Sequence, residues 1–150
     1  MMDLAIAQAY LGMRKNRGGP FGAVVVRDGR VIARGHNQVI ATNDPTAHAE
    51  IVAIRRAAAR LKRFDLSDCE VCSTCEPCPM CLAAISWANI RTVYYGCTRE
   101  DAENIGFRDK LFYGLLGKRA SRAVRRVQVG RRECLGPFRE WERKKDKIGY

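Results

Sequence analysis

Two short runs constrain this chain more than anything else in it: NDPTAHAE at residues 43–50 and CEPCPMC at residues 75–81. His48 and Glu50 stand two residues apart where a helix opens, and Cys78 with Cys81 forms a CxxC further on. One imidazole and two thiolates make three protein ligands for a metal. Structural zinc sites close all four positions with protein groups, whereas catalytic ones leave the fourth to water, so three ligands beside a glutamate read as hydrolytic. Two helix starts converging on one metal suit this set, since their positive ends favour thiolates and a metal-bound hydroxide.

The remaining segments supply a scaffold. Residues 2–17 are good helix formers that stop at Gly18, Gly19 and Pro20. FGAVVVR (21–27) and RVIARGH (30–36) flank Asp28 and Gly29, the pair a tight hairpin prefers. Residues 37–43 read as a loop. Asp44 and Pro45 suit the N-cap and first position of a helix that carries His48 in its first turn and runs to about Arg60. Ile51, Ile54, Ala58 and Leu61 are expected to face a sheet, with Arg55, Arg56 and Arg60 outside. A strand over 69–74, a turn over 75–77, a helix over 78–88 and a strand over 92–96 follow. A polar stretch over 99–107, a helix over 111–116, a last strand over 124–129 and a helix from Pro137 to about Lys145 complete the chain. Strands alternating with helices after an opening hairpin argue an α/β sandwich with a mixed sheet. With 150 residues and no repeat or linker, the expectation is a single domain over 1–150.

Five cysteines fall at three-residue intervals from Cys69 to Cys81, a spacing that invites a cluster reading. In a strand, however, i and i+3 point to opposite faces, so Cys69, Cys72 and Cys75 cannot share one cluster with the last pair. Cys69, Cys72, Cys97 and Cys134 read as small core residues. Cys75 either lines the site or shapes the turn. His36 has no ligand-like neighbour and reads as an ordinary core or surface histidine. For Glu50 the neighbourhood decides, because a carboxylate one step from a metal ligand can take a proton from an activated water and hand it to a departing amine.

Composition narrows the setting. Seven cysteines, an odd number at metal-like spacing, together with no signal-like opening segment, favour reduced thiols in a cytoplasm. No apolar run approaches the roughly twenty residues of a membrane helix, so no membrane partner is expected. Lys and Arg number 27 against 16 acids, a formal charge of +11. Between Gly117 and Arg132 stand seven of those cations and no acid, which is either a solvated face or a surface for an anionic partner such as nucleic acid.

These residues resemble the cytidine deaminase superfamily, and the likeness runs from GGPFGAVVV to the C-terminal tyrosine. The tRNA adenosine deaminases share PxGAVVV, DPTAHAE and EPCxMC, so those elements do not choose the substrate. The bacterial-type guanine deaminases look closer, through GGPFGA (18–23), CEPCPMC followed by Trp87, GF-x-D at Gly106, Phe107 and Asp109, and a tail ending in Tyr150. The resemblance implies a three-layer α/β/α sandwich with a five-stranded sheet, Zn2+ at His48, Cys78 and Cys81, and hydrolytic deamination of guanine. It also implies substrate contacts from Asn37, Asp109, Phe21 and Trp87, and a homodimer exchanging C-terminal segments so that Tyr150 closes the partner's pocket. Without it, Tyr150 reads as a frayed terminus and Asp109 as a surface acid. Two features depart from that pattern: Arg108, where a second acid is common, and the basic segment. They keep open another aminopurine, guanosine, an aminotriazine or, as the runner-up, adenosine in tRNA.

Overall fold

A computed structural model describes residues 1–107, 112 and 124–148. Its frame is a five-stranded sheet in the order β2-β1-β3-β4-β5, formed by β1 (Gly22–Arg27), β2 (Arg30–His36), β3 (Glu70–Cys75), β4 (Thr92–Cys97) and β5 (Arg125–Gln128). β1 runs antiparallel to both β2 and β3, and β4 lies parallel to β3 and β5. The sheet is therefore mixed, as expected. Asp28 and Gly29 both take positive φ, 49° and 70°, which is what a two-residue turn between right-twisting strands requires.

Helices cover both faces. On one side α1 (Met2–Arg14) and a C-terminal helix, α6 (Arg131–Arg143), enclose Met13, Cys97, Phe107, Phe138 and Trp141. On the other, α3 (Ala49–Leu61) and α4 (Pro79–Trp87) lie over Val71 and Val93. Two short helices, α2 (Val39–Thr42) and α5 (Arg99–Asn104), complete the described elements. The layers are held close by bare backbone. A Cβ on Gly22 would lie 2.0 Å from Ala5 O of α1, and one on Gly35 2.3 Å from Ala49 O of α3.

Several boundaries differ from the sequence reading. α1 ends at Arg14, three residues early, and residues 39–42 coil into α2 where a loop was expected. Asp44 does not cap α3. Its Oδ1 accepts the Thr46 N–H at 2.8 Å and the Thr46 hydroxyl at 2.6 Å, closing a local turn that delays the helix to Ala49. The buried stripe of α3 on the sheet is Ala49, Ala53 and Ala57, because only small side chains fit over Gly35, while the expected Ile54 and Leu61 pack, partly buried, against the same core. Ile51 instead packs beside Cys78 and Cys81, while Arg55, Arg56 and Arg60 are exposed as expected. The polar stretch after β4 forms α5, opened by a capping box between Thr98 and Asp101. Pro137 lies inside α6, which starts six residues earlier, after Gly130 at φ 64°. The ring removes one helical N–H, and the buried stripe of Cys134, Pro137, Phe138 and Trp141 offsets that loss. The expected helix at 111–116, apart from Phe112, lies outside the described residues, as do Arg108, Asp109, Tyr150 and residues 117–123 of the basic segment. No described helix is long and apolar enough to cross a membrane.

Candidate metal centre

His48 is the N-cap of α3, with extended φ and ψ of −65° and 157°, and Cys78 is the N-cap of α4 at −64° and 168°. The ligands thus sit one residue ahead of the helices they were expected to open, and Cys81 lies in the first turn of α4. His48 Nδ1 is 3.6 Å from Cys78 Sγ and 3.6 Å from Cys81 Sγ. All three ligand atoms lie within 4.8 Å of one another. Tetrahedral zinc with N and S bonds of about 2.0–2.1 and 2.3 Å separates its N and S ligands by about 3.6 Å. The donor set therefore fits zinc in spacing as well as in type.

The two thiols are shifted in opposite directions. The Cys81 side chain, the His48 ring and the Cys81 backbone N–H hold the Cys78 thiol down to about 4 against the cost of burial. The Cys78 side chain and burial push Cys81 well above its ordinary value. A metal bound here would take both sulfurs as thiolates.

Glu50 is buried on the second residue of α3. Its Oε1 accepts the Ser73 hydroxyl at 2.9 Å, and its Oε2 lies 3.4 Å from Cys81 Sγ. Burial raises the carboxyl above its usual range, with the Cys78 sulfur adding to the rise, while His48 and Ser73 oppose it. Ser73 was not anticipated. The available signal was a hydroxyl in the middle of an otherwise apolar strand, EVCSTC, where a buried polar atom needs a partner.

Asn37 follows β2 and is buried. Its N–H donates to Phe21 O at 3.1 Å, and its Oδ1 accepts the Val39 N–H at 3.2 Å. Gly18 packs against that oxygen so tightly that a Cβ there would lie 2.1 Å from it. The side-chain amide nitrogen makes no hydrogen bond among the described residues. Phe21 is half-buried, with its ring edge-on to Phe107 at 4.7 Å and to Phe138 at 5.4 Å, so it is also part of the core. Trp87 ends α4 and is 85 % exposed, and it does not join the cluster. Asp109 and Tyr150 lie outside the described residues.

Among the described residues, His48, Cys78 and Cys81 form the group able to hold a metal. Cys75 is buried with its Sγ 3.5 Å from Thr98 O, among Met13, Phe107 and Trp141, and so belongs to the turn and core rather than the cluster. Cys69, Cys72, Cys97 and Cys134 are buried core thiols, as expected, and burial raises all four. His36 is buried between Gln8 and Gln38.

The profile of the cytidine and deoxycytidylate deaminase zinc-binding region matches residues 1–97, a span that includes the three ligands and Glu50. The chain belongs to that family. The deaminase is 45% identical over 147 residues to the guanine deaminase of Bacillus subtilis (strain 168), covering 97% of this chain and 94% of that protein. The X-ray structure of guanine deaminase from Bacillus subtilis aligns with 99% of this chain and 96% of its own, at 43% identity and a TM-score of 0.74. A structure of guanine deaminase from Nitrosomonas europaea aligns with 95% of this chain and 83% of its own, at 29% identity and a TM-score of 0.83. A tRNA-specific adenosine deaminase of Agrobacterium fabrum (strain C58 / ATCC 33970) is 48% identical over 95 residues, 63% of this chain and 62% of that protein. The deaminase is a zinc-dependent hydrolase, with His48, Cys78 and Cys81 as its metal set.

Proposed function

We propose that this deaminase hydrolyses guanine to xanthine and ammonia. The observation that carries the reading is the extent of the guanine deaminase likeness, 45% identity over 97% of this chain, against 48% over 63% for the tRNA-specific adenosine deaminase. When bound, zinc supplies Lewis acidity that makes water nucleophilic near neutral pH. Glu50 takes the water's proton as oxygen adds to the amidine-like ring carbon of guanine. It then delivers a proton to the exocyclic nitrogen, so that the C–N bond breaks and ammonia leaves. Ser73 fixes one oxygen of Glu50 and leaves the other facing the cluster.

Asn37 orients the purine. Its carbonyl oxygen is already engaged by Val39, so its amide nitrogen is the group left to donate to a base edge. Asp109 accepts a ring N–H or assists proton transfer, and Phe21 and Trp87 stand near the ring. Tyr150 reaches the pocket from a second copy of the chain through exchanged C-terminal segments, which makes the working unit a homodimer of 1–150 domains. The exposure of Trp87 and of Ile148, two residues from the C-terminus, supports that arrangement. Seven cysteines without a disulfide support a cytoplasmic setting.

The competing reading is adenosine-to-inosine conversion in tRNA, favoured by the shared core motifs and the basic segment. Purified zinc-loaded enzyme assayed against guanine, guanosine, adenine, cytosine, ammeline and tRNA separates the two. Xanthine formed from free guanine is expected. Inosine in tRNA without xanthine overturns the proposal.

A further inference from the structure

Glu76 follows the last residue of β3 and precedes Pro77 and the metal ligand Cys78. Its N–H donates to Cys97 O at 2.8 Å, extending the β3–β4 ladder beyond the Cys75–Cys97 pair. Pro77 carries no N–H, so the ladder cannot continue through it. Cys78 then takes the extended backbone of an N-cap and starts α4. The direction in which the Cys78 sulfur points therefore depends on how firmly the residue before Pro77 is held.

The Glu76 side chain is 7% exposed, an expensive place for a carboxylate without compensating charge. Compensation comes from two arginines. Arg126 of β5 donates from Nη1 to Oε1 at 3.1 Å, and Arg99 of α5 brings Nε to 3.8 Å from Oε2. Both lie beyond residue 97, where the zinc-binding region match ends. The arginines are only partly buried, with side chains 26% and 37% exposed, and are carried by two separate elements. Glu76 makes no contact with the three ligands among the bonds described, so its influence on the metal is indirect.

We infer that Glu76 is a positioning residue for Cys78, clamped by Arg126 and Arg99, and that β5 and α5 thereby control how tightly the zinc loop is held. This rests on the metal reading of the site and not on which base is deaminated. Residues that orient a metal ligand without touching the metal change metal affinity by about 10- to 100-fold when removed.

The test is zinc release from the loaded, full-length enzyme into a chelating indicator, followed by stopped mixing without substrate. Glu76→Gln and Arg126→Gln are expected to release zinc about tenfold or more faster than wild type, with Arg126→Lys in between. Arg14→Gln serves as the control. It breaks a different ion pair, Arg14 with Glu140 at 2.7 Å, which joins α1 to α6 and includes no residue of β5 or α5, and is expected to release zinc at the wild-type rate. Wild-type release from Glu76→Gln and Arg126→Gln, or equal acceleration in Arg14→Gln, overturns the inference. Because no base is present, failure here is distinct from failure to turn over guanine.

Discussion

Glu50 has one oxygen tied to Ser73 and the other beside the metal set, so a single substitution separates its chemistry from its packing. Glu50→Gln keeps the shape and the Ser73 contact while removing the carboxyl proposed to carry protons. Turnover of guanine is expected to fall by about 10²- to 10⁴-fold, with the zinc content by metal analysis unchanged because no ligand is altered. His36 offers a second measurement at this scale. Burial, reinforced by Arg17, Arg56 and Lys15, lowers its pKa from 6.5 to about 4. The folded protein holds a neutral ring, while the unfolded chain takes up a proton once pH falls below about 6.5. Stability from this residue is therefore complete above pH 6.5 and is lost as pH falls towards 4. Melting temperatures recorded from pH 7.5 to 4.5 are expected to drop less steeply in His36→Gln than in wild type, and parallel curves would show that His36 contributes nothing.

Among the elements, the approach of α3 to β2 controls the site, because α3 carries His48 at its first turn of backbone. Gly35 and Gly22 provide matched perturbations on opposite faces of the sheet. Alanine at either position pushes a methyl group into helix backbone, into α3 at Gly35 and into α1 at Gly22. Each is expected to cost about 1–3 kcal/mol, read from urea unfolding of the zinc-free protein. Only Gly35→Ala is expected also to weaken zinc binding, since only that clash moves a helix bearing a ligand. Equal zinc affinity in the two variants would show that α3 absorbs the shift without moving His48. The elements also show where sequence reading works. The hairpin was legible because Asp28 and Gly29 tolerate the positive φ that the turn demands. The starts of α3 and α6 were not. Asp44 spends its cap on Thr46, and Pro137 is carried mid-helix by a buried stripe that no local signal reveals.

For the molecule as a whole, the proposed exchange of C-terminal segments joins activity to assembly. Removing residues 148–150 is expected to abolish most guanine turnover while leaving the melting temperature and zinc content near wild type. Full activity after truncation would take the tail out of the pocket. The mixed sheet was readable from alternating patterns and its two helical layers from the family resemblance, while His48, Glu50, Cys78 and Cys81 stood out by spacing, because a metal demands particular atoms at particular intervals. What spacing could not supply was the environment. Ser73 holding Glu50, Gly18 pressed on Asn37, and Glu76 between Arg99 and Arg126 join residues 19 to 50 positions apart, which no local pattern implies. The sequence alone singled out the atoms proposed to bind the metal and carry the proton. Only the folded sheet decided what holds those atoms in place, because positioning comes from contacts between segments that are neighbours in space and not along the chain.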